Sequence, residues 1–290
     1  MNVILLLSIS FSTFDFALIP YSGVQALGKD ILFLNHFYSS KILYRPLIEE
    51  DSLRKINISG GFTDYFIDIN TTYFTFSYKN YSVGIFSFNA GRVEVVDSFG
   101  FKTGEVITPS HIGFVFNIPF LPFKNSFDIK KGLSIKILYV KLKDFSSLAF
   151  AFDMSFLKEF IYKEIPIRTS LDIRNIGFQT NKKASLPPYE FSLSISPNLK
   201  HIKPALGFSF EEALVSYRIS SLFQVNRFLN LLVNFDSRRK ETVEMEGLHR
   251  VLTGLGAGFI LNVKRLSLSY SFVPSGIFQD LHKVDISINF

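Results

Sequence analysis

The chain has 290 residues, 47% of them hydrophobic and 19% charged, with 34 Phe, 12 Tyr, no Trp and no Cys. That apolar fraction excludes a disordered chain, and the lack of cysteine excludes disulfide scaffolds, Cys-ligated zinc, iron–sulfur clusters and thiol catalysis. The net charge of +6 is spread along the chain, and its one tight basic run, Arg238-Arg239-Lys240, is followed at once by Glu241, Glu244 and Glu246. That is a solvated loop rather than a phosphate groove, so no nucleic-acid partner is expected.

Residues 1–17 hold an apolar run, Val3-Ile4-Leu5-Leu6-Leu7, of signal-peptide length. It is well short of the roughly 20 residues a spanning helix needs. The segment reads as an export signal with cleavage after Ser12 or Ala17; the competing reading is a buried first strand. Residues 18–60 show no sustained alternation and are expected to form a plug or hatch. No later stretch reaches the length of a membrane helix, yet mean hydropathy is positive, at +0.24. A barrel reconciles the two, because its strands put apolar residues into lipid at every second position.

From about Gly61 the period is two. Leu148, Phe150, Phe152, Met154 and Phe156 are backed by Ala149, Ala151, Asp153 and Ser155; Tyr189, Phe191, Leu193 and Ile195 are backed by Glu190 and serines. Leu255, Ala257, Phe259 and Leu261 are backed by glycines and Asn262, and Leu266, Leu268, Tyr270 and Phe272 by serines. The last strand sets Val284, Ile286, Ile288 and Phe290 on one face, with Asp285, Ser287 and Asn289 on the other. A soluble sandwich places Lys, Glu and Thr outside, whereas these polar partners are small and suit the inside of a closed barrel. Tyr189 and Phe290, at strand ends, sit where an aromatic girdle belongs.

The fold expected is therefore an all-β transmembrane antiparallel barrel over residues 61–290, of about 14 strands, with an N-terminal plug. Short turns fall at Asn80 and at residues 197–200, 224–227 and 262–265, which puts residues 97–110, 179–188, 236–250 and 274–280 together as loops on the other side. Lys143–Phe145 and Glu211–Glu212 are read as hairpins or as bends in longer strands, and residues 62–78 as one strand or two.

No catalytic signature is present: there is no nucleophile elbow, phosphate-binding loop, dinucleotide fingerprint or zinc-protease motif. The histidines, His36, His111, His201, His249 and His282, lack metal-ligand spacing. A non-enzymatic protein without metal or cofactor is expected. Asp153, Asp172 and Asp285 face the lumen, where Arg168 and Arg174 are available to pair with them in a structural ion network.

Tyr270-Ser271-Phe272-Val273-Pro274-Ser275-Gly276, followed by Leu281-His282-Lys283 and the strand ending at Phe290, resembles the last hairpin of the PorV/PorQ family of bacterial outer-membrane proteins. Phe152-Asp153-Met154-Ser155 is similar to that family's aromatic-Asp strand. Arg174-Asn175-Ile176-Gly177 with Leu186-Pro187 is similar to its Asn-x-Gly…Leu-Pro connection, and Gly254-Leu255-Gly256 to its penultimate strand. The resemblance covers residues 81–290; the N-terminal part departs from it, with only Gly23-Val24-Gln25-Ala26-Leu27-Gly28 as a remnant of the Gly/Ala-rich hatch. It implies a barrel like that of the long-chain fatty-acid transporter, in the bacterial outer membrane. Val284, Ile286, Ile288 and the terminal Phe290 fit the signal read by the barrel-assembly machinery. Two roles remain open, a secretion-associated protein contacting secretion components or exported proteins, and a transporter of hydrophobic ligands such as fatty acids. A soluble or surface β-sandwich binding protein is the third reading.

Overall fold

Alternation with a period of two gives each strand an apolar and a polar face, and in the computed structural model these strands close into one antiparallel barrel. The structure describes residues 17, 21–33, 39–46, 56–64, 69–79, 81–96, 101–118, 128–143, 145–181, 185–211, 214–237, 254–274 and 281–290. The strands are β1 (Ile56–Asp64), β2 (Asn70–Tyr78), β3 (Tyr81–Asn89), β4 (Val93–Val96), β5 (Lys102–Ile107), β6 (Ser110–Ile118), β7 (Lys130–Leu142) and β8 (Phe145–Tyr162). They continue with β9 (Ile165–Gln179), β10 (Glu190–Pro197), β11 (Ile202–Glu211), β12 (Leu214–Gln224), β13 (Leu229–Asp236), β14 (Leu255–Val263), β15 (Leu266–Val273) and β16 (Leu281–Asn289).

All but β4 and β5 belong to the barrel, which makes it fourteen-stranded. Sequence neighbours pair throughout, except that the β4–β5 hairpin is inserted between β3 and β6. The seam closes between β1 and β16, from Asn57 opposite Asn289 to Asp64 opposite His282. Phe290 N donates to Ile56 O at 2.9 Å, so the last residue fastens the first strand. Closure leaves no open sheet edge, which a bilayer-spanning sheet requires.

Ile56 and Phe290 lie at one end of the barrel, and the strand ends that flank the expected short turns lie there too. The described strand ends that flank the four stretches expected as long loops lie at the opposite end. Three details differ from the sequence reading. The first strand starts at Ile56 rather than near Gly61, because the adjacent Gly60-Gly61 masks the alternation of Asn57, Ile58 and Ser59. Residues 97–110 are not all loop: Lys102–Ile107 is β5, a strand with residues of both faces exposed and no wholly apolar face to mark it in the sequence. Lys143 lies in a turn between β7 and β8, β11 ends at Glu211 and β12 begins at Leu214, and the stretch from 62 to 78 contains the end of β1 and all of β2. The apolar run at residues 1–16 and the basic run at 238–240 lie outside the described residues.

Outward side chains are apolar and exposed, among them Phe74, Leu193, Ile219, Val284, Ile286 and Phe290. Inward ones are small, polar and buried: Ser192, Ser194 and Ser196 on β10; Ser267, Ser269 and Ser271 on β15. A β-bulge interrupts the wall between β8 and β9, where Asp153 faces both Arg174 and Asn175. Asn175 takes φ of 56°, and Arg174 and Asn175 both turn inward as a result. The close β8–β9 approach beside it requires Gly177, where a Cβ would lie 1.9 Å from Phe150 O.

Candidate functional site

The small inward side chains leave room that the N-terminal segment occupies. Ser22 caps α1 (Gly23–Gly28), its Oγ accepting from Gln25 N at 3.0 Å, and Gln25 Oε1 accepts from Tyr21 N at 2.9 Å. The helix lies against β12 to β16, while the 3-10 turn Ser39–Leu43 lies against β1, β2, β3 and β6. Together these contacts reach β1, β2, β3, β6 and β12 to β16. Two apolar clusters flank the segment. One joins Tyr21, Ile42 and Leu43 to Tyr73, Phe86, Val115, Leu138 and Val140. The other joins Leu27 and Ile31 to Ala205, Leu222, Leu232 and Ile260.

Between the clusters runs a buried ionic belt. Asp30 meets Arg218 of β12 twice, Nε donating to Oδ2 at 2.7 Å and Nη2 to Oδ1 at 3.1 Å. Ser194 Oγ donates to Asp30 Oδ1 at 2.7 Å, and Arg218 Nη1 to Ser209 Oγ at 2.7 Å. The next residue back, Lys29, pairs with Glu190 of β10 at 3.0 Å. Glu190 also accepts from Arg174, directly opposite it on β9. Arg45 donates to Asp172 of β9 at 2.6 Å. Lys136 of β7 pairs with Asp153 at 2.7 Å and donates to Asn175 Oδ1 at 2.8 Å. The bulge completes the last group, with Asn175 N donating to Asp153 Oδ1 at 2.8 Å.

This belt brings five cations (Lys29, Arg45, Lys136, Arg174, Arg218) to four carboxylates (Asp30, Asp153, Asp172, Glu190), a near balance that buried charge requires. Burial pushes the Asp30 carboxyl up, but Arg218, with Lys29 and Ser194, outweighs it and holds the group below its usual value of 3.8. Burial likewise opposes the charge on Arg45, and Asp172 more than offsets it. Gly207 belongs to the same contact: a Cβ there would lie 2.3 Å from Asp30 Oδ1.

Of the residues expected to form a lumen network, Asp153, Asp172 and Arg174 lie in the belt, where they pair with Lys136, Arg45 and Glu190. Register and the bulge choose their partners. Arg168 is opposite Glu159 on β8 and donates to its Oε2 at 2.7 Å. It also donates to Leu32 O at 3.2 Å, with its guanidinium 4.2 Å from the centre of the Phe33 ring. Asp285 is apart, near the seam, accepting from Tyr73 Oη at 2.9 Å and Ser269 Oγ at 2.6 Å. Sequence reasoning missed Lys136, Glu190 and Arg218, although Lys136 and Arg218 each stand mid-strand in phase with small polar neighbours, Ser134 and Ser216. It also missed Lys29, Asp30 and Arg45, which lie in a segment without periodicity. Val284, Ile286, Ile288 and Phe290 form the outward face of β16.

No protein-family model matches the chain, and no curated protein matches it. Among solved structures it is similar to the toluene transporter TodX of Pseudomonas putida, with a TM-score of 0.52 at 8% identity over 96% of this chain and 99% of that one. It is also similar to CdiB from Acinetobacter baumannii, TM-score 0.42 at 9% identity, over 83% of this chain and 61% of that one. For OccAB3 of Acinetobacter baumannii the TM-score is 0.33 at 7% identity, over 81% of this chain and 98% of that one. At such identities the likeness concerns the fold, which is that of outer-membrane β-barrels.

Proposed function

We propose that this chain is an outer-membrane barrel that moves small apolar compounds, with residues 21–46 acting as the plug that controls passage. The observation that carries the reading is the seating of that segment between two apolar clusters by three ion pairs, Lys29–Glu190, Asp30–Arg218 and Arg45–Asp172. Paired charges hold the segment in a defined position, and the apolar wall residues of both clusters, packed against its side chains, would line the path of an uncharged ligand once it moves. TodX, whose fold this chain shares, is a toluene transporter, which makes a monoaromatic hydrocarbon the first probe. The role is physical rather than catalytic: the barrel provides a path, and the plug admits or excludes. The test is uptake of radiolabelled toluene by cells that carry the barrel in the outer membrane, compared with cells lacking it. Faster uptake supports transport; equal uptake refutes it.

A second reading, a secretion-associated barrel of the PorV/PorQ type, draws on the gathering of long connections at one end, where the β4–β5 hairpin exposes Phe101 and Val106. Replacing Arg238-Arg239-Lys240 with alanines, and assaying protein export and toluene uptake separately, divides the two. Loss of export alone supports secretion, and loss of uptake alone supports transport.

A further inference from the structure

Among the described residues the two ends of the barrel differ in charge. Among the described residues, an exposed Lys or Arg stands in or beside each of the six strand connections at the Phe290 end. Lys79 lies between β2 and β3, Lys163 between β8 and β9, and Arg227 between β12 and β13. Lys130 opens β7, Lys200 precedes β11, and Lys264 with Arg265 joins β14 to β15. None of these has a carboxylate partner among the described residues. The exposed acids described at this end are Asp128, Glu159 and Glu164, and Glu159 is taken by Arg168. At the opposite end the described charges are mixed and partly paired, Lys102 with Glu94 and Lys143 with Glu105.

The depth of these cations is set by aromatic rings. Lys79 Nζ lies 5.3 Å from the centre of the Tyr78 ring, Lys163 Nζ 5.4 Å from that of Tyr162, and the Arg227 guanidinium 4.5 Å from that of Phe228. All three rings are exposed and lie at strand ends beside the outward apolar band, as do Tyr81 and Phe290. Aromatic side chains in that position mark the boundary between hydrocarbon and headgroup. A cation held against such a ring therefore stands at phosphate level, and the ring's apolar body is already shielded by lipid.

We propose that the Phe290 end of the barrel is a ring of cationic sites for the phosphate headgroups of anionic phospholipids, in the leaflet that this end faces. The inference rests on the membrane placement of the barrel but not on what the lumen carries. Each Lys or Arg near an anionic bilayer surface strengthens attraction about fivefold. The ring thus gives the protein a lipid preference and fixes the depth of this end, with a strength that salt weakens.

The test uses the full chain folded in neutral detergent and mixed with equimolar phosphatidylglycerol and phosphatidylcholine of identical acyl chains, the retained lipids being counted by native mass spectrometry. At low salt phosphatidylglycerol is expected at least fivefold enriched, the enrichment falling as salt rises. The combined variant K79Q/K163Q/R227Q/K264Q is expected to lower it at least fivefold. The matched variant R92Q/K102Q/K141Q/K143Q at the opposite end is expected to leave it unchanged. The single variants K79Q and R227Q, each expected to lower enrichment about fivefold, keep the test decisive if the combined variant does not fold. Equal retention of the two lipids, or equal loss in both combined variants, overturns the proposal. So does displacement of the lipid by glycerol phosphate at the same phosphate concentration, which would mark a site for soluble anions. A chain that forms no heat-modifiable barrel in detergent instead refutes the membrane placement itself.

Discussion

Removing the Asp30 carboxylate should release the N-terminal segment while the barrel stays closed. Arg218 is 2% exposed and would lose two of its three hydrogen bonds with Asp30→Ala, keeping Ser209 alone. Taking one partner from a buried ion pair costs about 3–5 kcal/mol, because the other charge is left desolvated. Here the segment can leave and water can enter, so the low end of that range applies. This corresponds to a shift of about 100-fold toward the undocked state, at about 1.4 kcal/mol per factor of ten. The wall does not share the loss, since its strand ladder is unbroken from β1 round to β16. The chain has no cysteine, so a single thiol reports the docking. Leu27 is fully buried on the segment, and in a Leu27→Cys background maleimide labelling of the folded protein should quicken by about 100-fold when Asp30→Ala is added. Unchanged labelling of a protein whose band in SDS still shifts on boiling would refute the reasoning, since it would mean that the segment is held without this pair.

The same thiol gives a pH prediction. Asp30 is held below its usual value, so its contribution to docking is complete above about pH 4 and is lost as pH falls through the lowered value. Labelling should be flat from pH 7 to about 4 after correction for thiol ionisation, then rise on further acidification; Asp30→Asn should be fast throughout and show no step from this group. Gly207→Val should mimic Asp30→Ala in the labelling assay, because its side chain takes the place of a carboxylate fixed by Arg218 and Ser194. Gly177→Val should act on the wall instead, at a cost above the usual 1–3 kcal/mol of overpacking, since the obstacle is Phe150 backbone; loss of the heat-modifiable band measures it. Phe290→Ser keeps the backbone bond to Ile56 and should refold in detergent nearly as well as the parent, yet lose most of its folded band when expressed in cells. Equal yields in cells would refute the expectation that Phe290 belongs to an assembly signal.

The wall was legible because period-two alternation is a local property: every second residue meets a different solvent, and the chain records that at each position. Turns were harder. The tight connection at 163–164 is built from Lys163 and Glu164, both at positive φ, where Gly or Asn is the usual signature. The bulge at Asn175 was hidden as well, because one extra residue reverses the phase of β9 without changing its composition. That reversal turns Arg174 and Asn175 inward together and gives Asp153 its backbone donor. Arg174 and Arg168 looked equivalent in the alternation, but register gave one to Glu190 and the other to Glu159.

The segment at residues 21–46 was the least legible part, for a physical reason that also explains the wall around it. A strand in a closed sheet satisfies its backbone groups with its neighbours, so its sequence need only sort apolar from polar. The N-terminal segment has no ladder to join, and it is fixed one contact at a time. Tyr21 O accepts from Thr63, Ser39 N donates to Asn57, Leu32 O accepts from Arg168 and Phe33 O from Lys203. The information that places it is written mostly in the barrel, in inward serines, in Gly207, and in charged residues that replace a serine at isolated points such as Lys136 and Arg218. A segment of quite different sequence that supplied an acid at the position of Asp30 and a base at that of Lys29 would meet the same ionic partners. The inward charges of the strands therefore constrain where the segment docks more tightly than the segment's own residues do.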